Sequence, residues 1–291
     1  MGLMDFVINK ENYLKENKKV EIAHKNVMFK TAKEKYGLWP LTVWDINKNN
    51  KENNKLKKMI DDGSGRKECS NINYGINKSM TSIFDPQIVQ FIINMYIKEK
   101  NKIVYDPFGG GGTRGIICGS NGLKYYGNEL RKEEFDLLIG KIKDLDFKDN
   151  IKFFNQDSQN ANKLEGDFAD FLITCPPYYN LEKYNGGMND LSMVGSYEEF
   201  LNGIEKVIRE SYRILKDGAL SFWVVGLMCE NNKLLMLNHD LTYLHKKCGF
   251  EIKEEVVLNN INSGSIQRVG YFDRGNNYLI RVHEYLLIFK K

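Results

Sequence analysis

The chain has 291 residues, 42% hydrophobic and 27% charged, with a formal net charge of +4. That length supports one large α/β domain with a sizeable core, plus an appendage. No apolar run approaches a membrane span, and Met1 to Lys10 lacks a signal-peptide pattern. Five widely spaced cysteines form no C-x-x-C pair and do not cluster with the four histidines, which predicts reduced, cytoplasmic chemistry and no structural zinc.

Charge is uneven along the chain. Residues 1–80 hold 16 Lys/Arg against 10 Asp/Glu, and the remainder holds 26 against 28. A basic segment suits a polyanion partner; it also reads as a solvated Asn/Lys-rich face. Met1 to about Lys35 is helix-like, with Lys, Glu and Asn interleaved among apolar residues. Trp39-Pro40-Leu41-Thr42-Val43-Trp44 leans towards β. Its tryptophans either stack on bases or anchor a small subdomain. Lys48 to Lys58 is polar and basic, and Asp62-Gly63-Ser64-Gly65 marks a turn. Residues 1–78 are therefore expected to be a basic, mostly helical segment able to contact a nucleic acid, followed by a larger domain over 79–291.

From Ser79 the pattern changes. Phe84-Asp85-Pro86 opens a helix with an apolar face from Ile88 to Tyr96. Seven strands then alternate with helices: Lys102–Tyr105, Lys124–Gly127, Ile151–Phe154, Phe168–Thr174, Ala219–Val225, Phe250–Leu258 and His283–Lys290. Helices are predicted up to about Ser120, over Arg131–Lys143, over Tyr197–Leu215 with a Ser196/Glu199 capping box, and over Leu234–Cys248. Lys216-Asp217-Gly218 reads as a turn and Asn259 to Asn277 as a polar loop. This alternation predicts a Rossmann-like, doubly wound, mostly parallel seven-stranded sheet with helices on both faces.

Two stretches carry chemistry. Asp106-Pro107-Phe108 followed by four glycines and Thr113 joins a strand to a helix, where glycines admit a ligand to the backbone and the helix N-terminus attracts negative charge. Gly110, Gly112 and Gly115 also satisfy the dinucleotide fingerprint. Glu129 and Asp157 end the next two strands, suited to ribose hydroxyls and an adenine amino group. These residues alone leave NAD open. The second stretch is Cys175-Pro176-Pro177-Tyr178, a strand stopped by two prolines that holds a thiol, backbone carbonyls and an aromatic face at the sheet's carboxyl end.

Phe84-x-Pro86, the Asp106–Thr113 loop, Glu129, Asp157 and Cys175-Pro176-Pro177-Tyr178, in that order, resemble the S-adenosylmethionine-dependent DNA methyltransferases that act on exocyclic amino groups, N6 of adenine or N4 of cytosine. Trp39 to Trp44 and the run from Cys175 to Tyr184 look like a phage-associated branch called DNA modification methylases. The resemblance implies that Asp106, Phe108, Gly110, Gly112, Thr113, Glu129 and Asp157 hold S-adenosylmethionine. It implies that Phe84 and Pro86 flank its methionine part, and that Cys175, Pro176, Pro177 and Tyr178 face a flipped base. The motif order is like the family's gamma arrangement, which usually adds a target-recognition domain after the last strand. Recognition is then expected from residues 1–80, from the Asn259–Asn277 loop, or from a second copy or specificity partner acting with double-stranded DNA.

An aromatic amine attacks a methyl group more readily when its N–H groups donate hydrogen bonds, and the Pro176 carbonyl suits that task. Cys175 stands where the family has Asp, Asn or Ser, and a thiol accepts weakly. Cys175 is therefore either a tolerated small residue or the nucleophile of a cytosine carbon-5 methylation, with Glu182 or Glu230 near the ring. An RNA methyltransferase, a non-catalytic nucleic-acid-binding module and a nicotinamide dehydrogenase are the remaining alternatives.

Overall fold

The computed structural model describes residues 41–46, 60, 84–179, 186–230, 233–259 and 281–291. The expected helix before Lys35, Trp39, the basic Lys48–Lys58 stretch, Glu182 and all but Asn259 of the polar loop lie outside the described residues.

Ten strands and five α-helices are described: β1 (Val43–Asp45), α1 (Pro86–Tyr96), β2 (Ile103–Asp106), α2 (Thr113–Ser120), β3 (Lys124–Glu129), α3 (Lys132–Ile142), β4 (Ile151–Asn155), β5 (Ala169–Thr174), α4 (Tyr197–Ile214), β6 (Leu215–Val225), β7 (Met228–Glu230), β8 (Lys233–Leu235), α5 (Leu237–Lys247), β9 (Glu251–Asn259) and β10 (His283–Lys290). Eight strands form one sheet in the order β1-β9-β10-β6-β5-β2-β3-β4, and β7 and β8 form a separate hairpin. Only β10 runs antiparallel to its neighbours in the large sheet.

Side-chain alternation explains the layers. Along β10, Leu286 and Ile288 join one core, while Leu287 and Phe289 join the other. β6 divides likewise, with Phe222 and Val224 on one face and Trp223 and Val225 on the opposite one. Buried residues of α1, α2 and α3 cover the first face, and those of α4 and α5 cover the second. Helices cover both faces, so the central strands read as continuous apolar runs.

The sheet has eight strands, not the seven expected. The additional strand is β1, parallel to β9 at the edge. Val43 and Asp45 face out while Trp44 is buried, the period of a strand packed on one side. Trp44 donates from Nε1 to the Leu41 carbonyl at 2.7 Å and meets Phe91 of α1 edge-on at 6.0 Å. It thus anchors to the main core instead of to a subdomain of its own, and Ile60 is buried in the same core.

Two further boundaries differ from expectation. Lys216-Asp217-Gly218 is not a turn but lies inside β6, where Gly218 at φ 78 marks an irregularity in the pairing with β5. Lys233–Leu235 pairs with Met228–Glu230 as a hairpin, so α5 begins at Leu237 instead of Leu234. The Ser196 cap is present: its hydroxyl accepts from the Glu199 N–H at 3.1 Å, while the Glu199 carboxylate reaches back to the Gly195 N–H at 2.9 Å.

From β2 the chain steps outward through β3 and β4, then returns to β5 on the other side of β2. The reversal lies between β2 and β5, and in such sheets the crevice beyond the strand ends at that point is where ligands bind. Asp106 ends β2 and Thr174 ends β5.

Candidate active site

Asp106 is fully buried. Its Oδ1 accepts from the Phe108 N–H at 3.0 Å and from Thr174 Oγ1 at 2.6 Å. Its Oδ2 accepts from Arg114 Nε at 2.6 Å and from Tyr125 Oη at 2.6 Å. Both carboxylate oxygens thus accept from protein groups beneath the glycine loop. Arg114 also donates to the Phe108 carbonyl, and its guanidinium lies 4.8 Å from the Phe84 ring centroid. Ion pairing with Asp106 holds Arg114 charged despite its burial.

The glycine loop divides into a packed side and an open side. Gly112 caps α2 in the left-handed region at φ 79, and a Cβ there would stand 2.7 Å from Leu138. Gly110, at φ 50, has only the Phe108 carbonyl near it, at 3.6 Å. Open space over a left-handed glycine gives a bound molecule direct access to the backbone. Thr113 begins α2 and is buried, and Phe108 meets Trp223 edge-on at 6.3 Å. Pro86 is buried at the first turn of α1 behind the Asp85 cap, while Phe84 is only partly buried.

Glu129 ends β3 and accepts the Arg131 N–H at 2.8 Å. Burial pushes its carboxyl above the usual range, against the pull of the Arg131 and Gly110 N–H groups. Its link with Gly110 places this carboxylate beside the open part of the loop. Asp157 caps the turn after β4: Oδ1 takes the Gln159 N–H at 2.9 Å, and Oδ2 has a longer contact of 3.4 Å with the Gln159 amide. Between these two carboxylates runs a buried network that sequence reasoning missed. Asn128 donates to Tyr105 Oη at 3.0 Å and Ser158 Oγ at 2.9 Å, and Ser158 donates to the Pro107 carbonyl at 2.6 Å.

The proline turn follows Thr174 directly. Cys175 is half-buried, with Sγ 3.9 Å from the Pro176 carbonyl, and it contributes to the electrostatic environment of Arg114. Pro176 is buried; Pro177 and Tyr178 are partly exposed. Tyr178 Oη accepts from the Gly226 N–H at 3.0 Å and donates to Glu284 Oε1 at 3.3 Å. Tyr179 instead turns into the core, its ring 5.7 Å from Tyr197 and 6.0 Å from Phe200. Glu230, expected near a target base, hydrogen-bonds Tyr179 from the hairpin.

The structure therefore gathers the glycine loop, Glu129, Asp157 and the Cys-Pro-Pro-Tyr turn at the carboxyl ends of β2, β3, β4 and β5. Arg114, Thr174, Asn128 and Ser158 escaped the sequence reading because each sits one residue from a feature that reads more strongly. Arg114 was the most findable: a cation in the first turn of a helix with an apolar remainder is poorly placed unless a buried acid awaits it.

The strand order is that of a Rossmann-like α/β fold. A family model described as DNA methylase (N6_N4_Mtase) matches residues 4–140 and 169–291. The chain belongs to that family of S-adenosylmethionine-dependent DNA methylases; the match does not single out a phage-associated branch. A type II beta methyltransferase, M.BslI of Bacillus sp. (strain NEB-606), is 24% identical over 154 residues, 48% of this chain and 16% of that protein. The orphan methyltransferase M.BamHII of Bacillus amyloliquefaciens is 24% identical over 122 residues, 42% of this chain and 38% of that protein. The aligned parts thus span well under half of either relative. Among solved structures, the 4+2 cyclase SpnF superposes with a TM-score of 0.51 at 13% identity, covering 75% of this chain and 86% of that one. That likeness concerns the fold alone.

Proposed function

We propose that the chain transfers a methyl group from S-adenosylmethionine to an exocyclic amino group, N6 of adenine or N4 of cytosine, of a base flipped out of double-stranded DNA. The observation that carries this reading is the hydrogen bond between Asp106 under the glycine loop and Thr174 before Cys175-Pro176-Pro177-Tyr178, which fixes a cofactor loop against an amine-binding turn. Bound S-adenosylmethionine supplies an electrophilic methyl group on a sulfonium.

The residues fit such a molecule. Gly110 opens the backbone, Glu129 offers a carboxylate for ribose hydroxyls, and the lightly engaged Oδ2 of Asp157 suits an adenine amino group. Phe84 and Pro86 stand at the methionine end, and Phe108, Gly112 and Thr113 shape the loop. On the substrate side, the Pro176 carbonyl accepts one N–H of the target amine and Cys175 accepts weakly from the other. Pro177 stiffens the turn, and the Tyr178 ring stacks on the extruded base. The basic 1–78 segment grips phosphates, and a second copy or a specificity partner completes recognition. An enzyme of this kind works in the cytoplasm, where DNA and cofactor meet; no described helix is long and apolar enough to cross a membrane.

The test is to incubate the purified chain with S-adenosylmethionine and either DNA or RNA, then identify modified nucleosides by mass spectrometry. N6-methyladenine or N4-methylcytosine in DNA is the expected product. 5-Methylcytosine would move the assignment to a Cys175 nucleophile, and modification confined to RNA would replace the substrate.

A further inference from the structure

A glycine loop and a proline turn are accounted for by the family, but the buried ion pair between them is not. Asp106 and Arg114 are 0% and 6% exposed, and the carboxylate takes hydrogen bonds from four residues of four segments. Arg114 spans from Asp106 to the Phe108 carbonyl and covers Phe84. Thr174 brings β5 onto the same carboxylate at 2.6 Å, one residue before Cys175.

Stability alone is a weak reason for such a pair. Taking two charges out of water costs nearly what their attraction returns, and well-packed apolar residues often do as well. Fixed geometry is what a planar, forked guanidinium adds. In-line methyl transfer depends on that geometry, since a misplacement of about 1 Å costs roughly a hundredfold in rate.

We infer that the Asp106–Arg114 pair is a strut that sets the target-base turn against the cofactor loop, with Arg114 and Thr174 as positioning residues. The inference rests on reading Cys175-Pro176-Pro177-Tyr178 as the target-base turn. Thr174→Val removes the hydroxyl at nearly constant volume and detaches the turn while leaving Arg114 on the loop. Thr174→Ser keeps the link.

The test measures kcat, KM for DNA, S-adenosylhomocysteine affinity by calorimetry, and iodoacetamide alkylation at Cys175 by peptide mass spectrometry. For Thr174→Val, kcat falls at least about tenfold, while KM and S-adenosylhomocysteine affinity stay within about threefold, because only the transfer geometry is lost. Alkylation of Cys175 rises at least about fivefold as the released turn opens, whereas Thr174→Ser stays near wild type in both readouts. Arg114→Lys keeps the charge but not the fork, so it raises alkylation too and also weakens S-adenosylhomocysteine binding. A Thr174→Val variant with unchanged kcat and alkylation overturns the strut. So does one in which Tm, cofactor affinity and kcat fall together with no selective change at Cys175. A wild-type chain that methylates no nucleic acid would remove the activity reading, and the alkylation arm would then decide the strut by itself.

Discussion

Cys175 is the residue at which two chemistries part. A half-buried thiol beside the Pro176 carbonyl is a weak acceptor for an amine, and a hydroxyl in its place accepts better. Cys175→Ser is therefore expected to keep or raise amino methylation, and DNA carrying 5-fluorocytosine should form no covalent adduct with the wild-type chain. An inactive, folded serine variant together with a trapped adduct would instead mark a nucleophile. On the cofactor side, Glu129→Ala should weaken S-adenosylhomocysteine binding by about 1.5–3 kcal/mol, the range for hydrogen bonds to a charged group. Unchanged affinity in calorimetry would take Glu129 out of the site. His245 makes a prediction about pH. It is fully buried on α5, stacked on Phe289 at 3.8 Å, with Nδ1 against the Leu241 carbonyl at 2.7 Å. Burial pushes its pKa down to about 3 from 6.5. Between those values the unfolded chain binds a proton that the folded chain refuses, so stability falls as pH drops through that window. Tm should decline from pH 7 to pH 5, and His245→Phe should make that slope shallower.

At the level of elements, the sequence was most legible where one period ran uninterrupted. The strands of the parallel core and the amphipathic α4 announced themselves, since apolar runs and a 3.6-residue stripe have few competing readings. Misreadings gathered where local chemistry and tertiary pairing disagree. Lys216-Asp217-Gly218 has turn composition, yet it lies within β6 as the stretch skipped by the pairing with β5, with the Gly218 N–H donating to the Lys291 carbonyl at 2.9 Å. Lys233–Leu235 has helical propensity, but its partner in the hairpin decides its state. The candidate site residues could be singled out because glycines, prolines and strand-end carboxylates are rare combinations. The residues that brace them could not, because Thr174, Asn128 and Ser158 are ordinary until their partners are known. β1 gives this scale its prediction. Trp44→Ala should destabilise the chain by about 3–5 kcal/mol, the usual cost of emptying a buried aromatic site. Denaturant titration showing a loss under about 1 kcal/mol would mean that the edge strand is not part of the cooperative core.

For the whole molecule, β1 changes how the basic segment has to be tested. Removing residues 1–78 would also remove Trp44 and Ile60 from the core. Charge substitution in the intact chain avoids this. Replacing Lys48, Lys51, Lys55, Lys57 and Lys58 by Gln should weaken DNA binding and make log affinity less steep in log salt, by about 0.9 for each phosphate that is no longer neutralised. Identical slopes for the two proteins would assign the charge to a solvated face.

The hydroxyl of Tyr178 has a consequence for discrimination. One end of that ring is held by the scaffold, receiving the Gly226 N–H and donating to Glu284. On the proposed reading the flat of the ring meets the extruded base, and a π face is shared by every base. Under that reading Tyr178 would capture a base without choosing it. Tyr178→Phe, which frees the ring without shrinking it, should slow turnover yet leave the modified nucleoside and its sequence context as they were. A changed product spectrum would mean that the tyrosine edge takes part in the choice.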